Sequence, residues 1–378
     1  MSEVRVVPVA GRRARRDFLS FPYRLYRGHP YWVPPLRIDQ KALLDPAKHP
    51  FHLHATVQCF LALRGGETAG RIAAILDPRF SEFHQEEAGF FGFLDMVEDA
   101  SVVRALIGTA VAWLREHGAE VIRGPVNPST NYECGVLVDG FDSSPRVMMA
   151  YNFPYYGPLL EQVGLRKAKD LFAYEIPTAE ARAGRAEALY QRALATGVRI
   201  RPIRLSAFQR DVESAWDVYN SAWARNWGFV PMTRAEFLWH GKELRPIIVP
   251  EMALFAELDG SLAGVALAVP DINEALKHAG GRLLPFGLFR ILWHKRNIRT
   301  CRVVLLGVRP EHRATPIAAG LYALLIREAK RLGYQCAECS WILEDNVLMR
   351  RAIEGLGGTI TKTYRIYELG PVSPRVPS

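Results

Sequence analysis

Residues 60–77 read FLALRGGETAGRIAAILD and residues 254–271 read LFAELDGSLAGVALAVPD. Six of these 18 aligned positions are identical, among them Gly66 with Gly260, Gly70 with Gly264 and Asp77 with Asp271. Apolar runs on either side of a glycine turn form the pattern of a β-hairpin. A chain that carries one hairpin twice, 194 residues apart, is constrained to fold as two related halves. Val102, Leu106, Ala110 and Trp113 share a helical face that Gly118 would close, and Ile317, Leu321, Leu324, Leu325 and Leu332 repeat it before Gly333. An asparagine follows each glycine by thirteen residues, Asn131 and Asn346. The offset there is 215, so the second half holds 21 additional residues, which fall in the segment before Arg302.

Each half reads strand–turn–strand, strand, helix, strand, helix, strand. The expected class is α+β: two tandem domains, each a mixed central sheet flanked by helices, related by duplication. The expected boundaries are an N-terminal domain over residues 1–180, a helical linker over 181–201, rich in Ala and Arg, and a C-terminal domain over 202–378. A length of 378 residues suits two cores. With 49% hydrophobic and 23% charged residues, the composition excludes wholesale disorder. Five scattered cysteines argue against a disulfide framework and for a reducing, cytoplasmic compartment. No apolar run reaches membrane-spanning length.

The net charge of +9 is unevenly spread. Up to Arg37 there are eight arginines against Glu3 and Asp17, interleaved with Phe18, Phe21, Tyr23, Tyr26, Tyr31 and Trp32. From Lys277 to Arg302 there are seven Lys and Arg and no acid, interleaved with residues such as Leu284, Phe286, Leu288, Phe289, Leu292 and Trp293. In each run the apolar residues are either core beneath solvated charges or an exposed surface suited to anionic lipid. Nucleic acid is not expected, since no recognition motif accompanies the charge.

Cys301–Val308 (CRVVLLGV) reads as an apolar central strand. Behind it, Arg309 to Ala318 lead into a helix, with Thr315 placed as its N-cap and Pro316 as its first residue. Strand, basic loop and helix N-terminus together suit an anion, and Arg309 and Arg313 add fixed charge.

The run GVRPEHRATPIAAGLYALLIREAKRLGY resembles motif A of the GCN5-related N-acetyltransferases (GNAT), with Arg313 at the first position of the pyrophosphate loop and Ala318 at the last. Pro316 stands where that loop has its first glycine and removes one N–H donor. WILEDNVLMRRAIEGLGG resembles motif B, with Ile353 where the family often has a general-acid tyrosine. YWVPPL, HPFHLHA, GFFGFLD, GPVNPSTNYECGVLVDGF and KTYRIYE extend the resemblance to bacterial tandem GNAT-fold proteins, the group that includes bacterial ceramide synthase.

The resemblance implies an acyl-CoA-dependent N-acyltransferase, with acyl-CoA as co-substrate and no permanently bound cofactor. It implies an acyl-CoA site formed by Leu306, Val308, Arg309, Arg313, Ala314, Thr315, Ile317, Ala318 and Asn346. At the 215-residue offset the first half sets Asp95, Glu98 and Asp99 against this loop, and their charge would repel a pyrophosphate; the nucleotide is therefore expected on the second half. Tandem acyltransferases such as N-myristoyltransferase, which load on the first half, point the other way. Glu133 and Glu344 are the candidate bases. Asn127, Asn131, Tyr219, Asn220, Phe289 and Trp293 are candidates for the acceptor and acyl chain. The substrates expected are a long-chain acyl group and a lipid-like amine such as a sphingoid base, met at the inner membrane surface by a peripherally bound enzyme. A small-amine acetyltransferase and a non-catalytic acyl-CoA or lipid-binding protein are the alternatives. His49, His52 and His54 lack the partners of a zinc site, and no metal is expected. Cys336 and Cys339 read as core.

Overall fold

In the computed structural model, residues 3–179 and 183–370 are described. The chain divides into two compact units. The first comprises the described residues up to Leu171, Gly280–Leu283 and residues 362–370; the second comprises the described residues of Phe172–Ala279 and Leu284–Thr361.

The first unit opens with β1 (Val4–Pro8), α1 (Gly11–Leu25) and α2 (Arg37–Leu43). The hairpin β2 (Thr56–Arg64) and β3 (Glu67–Leu76) follows, then α3 (Pro78–His84), β4 (Ala88–Met96), α4 (Ala100–Glu116) and β5 (Val121–Gly124). Strands β1 to β4 are antiparallel neighbours, and β5 joins β4 in parallel. Short strands β6 (Val126–Asn127), β7 (Glu133–Cys134) and β8 (Val136–Asp139) lead to α5 (Tyr156–Gln162) and β9 (Arg166–Pro177). Side chains alternate across β3: Gly70 faces α4, while Arg71 faces α1 and donates to Phe18 O at 3.1 Å.

The second unit repeats the plan. The stretch 183–202 contributes α6 (Ala183–Leu194) and β10 (Arg199–Pro202), both packed within this unit. The segment expected as a linker thus supplies elements of the second fold, with residues 181 and 182 outside the described residues. Next come α7 (Phe208–Trp223), α8 (Arg234–Leu244), the hairpin β11 (Ala253–Leu258) and β12 (Ser261–Pro270), then α9 (Asn273–Leu276) and α10 (Gly287–His294). The unit continues with β13 (Thr300–Val308), α11 (Ile317–Arg331), β14 (Cys336–Leu343), α12 (Val347–Gly355) and β15 (Thr359–Leu369). Strands β10 to β13 are antiparallel and β13–β14 is parallel.

The duplication extends to local geometry. Both hairpins close with two residues at positive φ, Gly65–Gly66 and Asp259–Gly260, the turn that matches strand twist. Ladder irregularities fall at equivalent points, between Ala62 and Leu63 and between Ala256 and Glu257. A Cβ at Gly70 would lie 2.7 Å from Leu106 Cδ1, and one at Gly264 would lie 3.2 Å from Ile317 Cγ2. The repeated glycine therefore lets α4 or α11 lie close on its sheet.

Strand β15 begins in the second unit, but its portion from Lys362 onward belongs to the first. There it pairs antiparallel with β5, Tyr367 opposite Gly124, and buries Tyr367 in the first core. The expected division, with residues 202–378 all in one domain, differs from this arrangement.

Candidate active site

Strands β13 and β14 run together over four residue pairs only, from Thr300–Cys336 to Val303–Cys339. Beyond Val303, β13 continues to Val308 along β12 alone. Arg309 N–H donates to Ala263 O on the β12 side at 2.8 Å. Amide directions alternate along a strand, so the N–H groups of Val308 and Leu306 point away from β12, into the space β14 leaves. The flanking residues Val304 to Leu306 and Trp341 to Leu343 are half-buried.

An eight-residue loop, Arg309 to Pro316, carries the chain from this strand end to α11. The helix N-cap is Pro316, one residue later than expected, and no side chain bonds the first-turn amides. Thr315 Oγ1 donates instead to His312 O at 2.6 Å. Arg313 Nη2 donates to Ala222 O at 2.8 Å and Arg309 Nε to Leu262 O at 2.8 Å. Neither arginine is paired with a carboxylate among the described residues, so both keep their charge for a ligand. Ala314 is exposed, Ala318 is half-buried, and the Ile317 side chain is buried in the core beneath the helix.

In the first unit the amide matching Val308 and the helix N-terminus are already satisfied by the protein. Val97 N–H donates to Ala69 O, the counterpart of Arg309 to Ala263, so Met96 corresponds to Val308. The offset here is 212, not the 215 that holds along the helix. The first unit's loop is three residues, Val97 to Asp99, against eight in the second; α4 begins two residues earlier than α11, and three residues of the second loop have no counterpart. The sequence alignment of Asp95 with that loop is thereby corrected. Asp95 lies in β4, buried, with its carboxylate 2.7 Å from Arg71 Nε; burial raises its pKa and Arg71 opposes the rise.

Met96 N–H donates to the Tyr156 hydroxyl at 3.1 Å. Phe93 N–H donates to Asn127 Oδ1 at 2.5 Å, and Asn127 Nδ2 donates to Glu133 Oε1 at 3.0 Å. Gly92 lacks the Cβ that would sit 1.7 Å from Val126 O, which allows β6 to lie against β4. At the start of α4, Asp99 accepts from the amides of Ser101 and Val102 and meets Arg64 at 2.8 Å. The Ser101 bonds hold its carboxyl at a pKa of about 2, a fixed anion where the second unit has open amides.

The other sequence candidates divide between the units. Asn127 and Glu133 come together in the first unit, and Asn131 N–H turns back to Ser129 Oγ at 3.2 Å. In the second, Glu344 is half-buried just past β14, its carbonyl accepting from Arg350 Nη1 at 2.9 Å. Asn346 caps α12 through Met349 N at 3.3 Å. The Asn220 amide is engaged at both ends by the Met232 backbone, at 3.0 and 2.9 Å, which makes it a clamp on the loop after α7. Tyr219 packs on Trp223, Phe229 and Phe237, and burial raises its pKa. Ile353 is fully buried in an apolar cluster.

Sequence reasoning missed two groups. The sequence does not single out Tyr156, and it suggests Asn127 for the acceptor and not as a partner of β4; together they occupy strand amides of the first unit, a pairing visible only once the fold brings them together. Arg302 and Glu338 are buried where β13 and β14 separate; Arg302 Nε donates to Ser340 Oγ at 2.9 Å and Ser340 Oγ to Glu338 Oε1 at 2.7 Å. One charged residue in each apolar strand was the signal for that second group.

Two units with a diverging parallel pair, one open and one closed, define a tandem GNAT-fold protein. A tandem GNAT protein from the clavulanic acid biosynthesis pathway superposes with a TM-score of 0.57 at 13% identity, covering 98% of this chain and all of that one. A GCN5-related glucosamine N-acetyltransferase region of a fungal β-N-acetylglucosaminidase gives 0.59 at 13% identity, covering 98% of this chain and 38% of that one. No family model matches the sequence. Among curated proteins, the bacterial ceramide synthase of Caulobacter vibrioides is 36% identical over 376 residues, 97% of each chain. The Escherichia coli protein YghO is 36% identical over 359 residues, 93% of this chain and 92% of its own. The chain belongs to the bacterial ceramide synthase family and is an N-acyltransferase of tandem GNAT fold.

Proposed function

We propose that this enzyme transfers a long-chain acyl group from CoA to the amine of a sphingoid base, forming a ceramide, and that the second unit holds the acyl-CoA. The reading of the site rests on one contrast: β13 offers the N–H groups of Leu306 and Val308 beside an uncapped α11, whereas in the first unit Tyr156 takes the amide that matches Val308, Asn127 takes the neighbouring Phe93 amide, and Asp99 caps the helix. The choice of substrates rests on the relative named bacterial ceramide synthase.

In this reading the pyrophosphate lies at the α11 N-terminus between Arg309 and Arg313. The strand amides polarise the thioester carbonyl and receive the oxyanion of the tetrahedral intermediate. Glu344, directly or through water, takes the ammonium proton so that the free amine can attack the carbonyl carbon. As the C–S bond breaks, the nitrogen of the tetrahedral intermediate loses its remaining extra proton to water and the leaving thiolate takes one from water, giving amide and CoA thiol; water relays this proton because the motif B position is the apolar Ile353. Glu133, held by Asn127, keeps that side chain on Phe93 in the first unit.

Incubation with acetyl-CoA or long-chain acyl-CoAs, and with sphinganine or small amines, tests the proposal by thiol release and mass spectrometry of the amide. An amide of long chain and sphinganine is the expected product. Turnover confined to acetyl-CoA and a small amine would overturn the substrate assignment.

A further inference from the structure

The insertion that distinguishes the second half presents an apolar surface outward. Leu284, Phe286, Leu288, Phe289, Leu292 and Trp293 are 45–77% exposed, and only Gly287 and Ile291 of α10 are buried. A helix covered on one narrow side would show a single apolar stripe. Here the large side chains surround most of the helix while one edge anchors it. Contiguous exposed apolar surface of this kind marks a contact site.

The charge around it indicates what the contact is. Lys277, Arg290, Lys295, Arg296 and Arg299 are exposed on the same segment, with no acid between Lys277 and Arg302. Arg290 and Lys295 bond to the carbonyls of His278 and Pro246, so their charge is uncompensated by these contacts. The nearest preceding acid, Glu274, is turned onto the backbone amides of Arg299 and Thr300. Aromatic and aliphatic residues rimmed by Lys and Arg suit the headgroup boundary of an anionic bilayer. Among the described residues no helix is long and apolar enough to cross one.

We propose that the segment from Leu284 to Arg296 docks the enzyme onto an anionic membrane surface, with Phe289 and Trp293 inserted and the basic residues on the headgroups. This extends the proposed lipid chemistry by placing the enzyme at the surface where such substrates partition, but its test does not depend on turnover.

The full chain is sedimented with vesicles of phosphatidylcholine alone or mixed with phosphatidylglycerol, and tryptophan fluorescence is followed against brominated lipid. Binding at least tenfold tighter to the anionic vesicles is expected, with quenching that falls in Trp293→Phe. Phe289→Ser with Trp293→Ser should lose at least tenfold in vesicle affinity at an unchanged Tm. Lys295→Glu with Arg296→Glu should lose affinity for anionic vesicles without loss of helix packing. Unchanged vesicle binding in both variants would overturn the proposal. So would a wild-type dimer that the serine variant converts to monomer with no vesicle binding in either, which would mean a second copy covers the patch. Loss of fold in the serine variant leaves the charge variant and the quenching to decide. Failure of the transferase assay alone would leave vesicle binding as it is.

Discussion

Arg313 and Asp99 hold opposite charges at the starts of equivalent helices, and that difference sets what each helix can bind. Arg313 is exposed and bonded only to a carbonyl, so its charge is available to a phosphate. Arg313→Glu should weaken CoA binding more than tenfold by calorimetry, while Asp99→Asn should leave it nearly unchanged; the reverse ranking would move the nucleotide site to the first unit. Asp211 governs a different property. Its fully buried carboxylate meets Arg201 at 2.9 Å and Arg204 at 2.6 Å. Burial alone would raise its pKa, but the Arg204 and Arg201 bonds outweigh that and hold it at about 2. A depressed folded pKa means the stabilisation is complete above the unfolded value of 3.8 and is lost as pH falls through about 2. The shift corresponds to about 2 kcal/mol. Asp211→Asn should cost about 2 kcal/mol at neutral pH, since Arg204 is half exposed and Arg201 retains Glu257 at 2.7 Å. Urea denaturation from pH 2 to pH 7 would show both the loss and a flatter acid limb.

At the scale of elements, β6 decides the state of the first unit. It can lie on β4 only because residue 92 is glycine. Gly92→Ala would drive a Cβ into the Val126 carbonyl and is expected to destabilise the protein by about 3 kcal/mol, readable as a lowered Tm. The hairpins, the α4 face, the α11 face from Ile317 to Leu325 and the two helix-closing glycines were legible in the sequence, because each is a local pattern; Leu332, read as part of that face, lies past the helix end and is exposed. The start of α11 was not legible. Thr315 has the chemistry of a cap, but its hydroxyl is taken by His312 and the helix begins after Pro316. The candidate site was half legible. Leu306 and Val308 fall on the end of β13 and Arg309 and Arg313 on the loop before α11, whereas Asn220 and Asn346 hold loop and helix backbone.

The whole molecule is tied together by a strand that changes unit. A fragment ending at residue 180 would lack Lys362–Leu369, hence the β5 partner and the buried Tyr367. Such a fragment is expected to be insoluble or to lack dispersed amide resonances. A stable, well-dispersed fragment would show that β15 is dispensable to the first core. Calorimetry of the full chain should give one acyl-CoA site per chain, since Tyr156 and Asp99 fill in the first unit the strand-end amide and helix N-terminus that the second leaves open.

The sequence by itself determined that the chain is doubled, that each half is α+β, and where an anion loop follows a central strand. These conclusions depend on neighbours a few residues apart and on similarity at a fixed offset. Tertiary structure alone decided the rest. The two basic-aromatic runs look alike as sequence, yet Phe18, Phe21 and Tyr26 are buried while Phe289 and Trp293 are exposed. Register along β4 differs by three residues from the helix alignment, because loop lengths are fixed by which amides pair and not by residue count. Whether a strand amide is open or occupied depends on Tyr156 and Asn127, 60 and 34 residues from the amides they accept. Burial and hydrogen bonding belong to partners distant in the chain, and only the folded chain selects them.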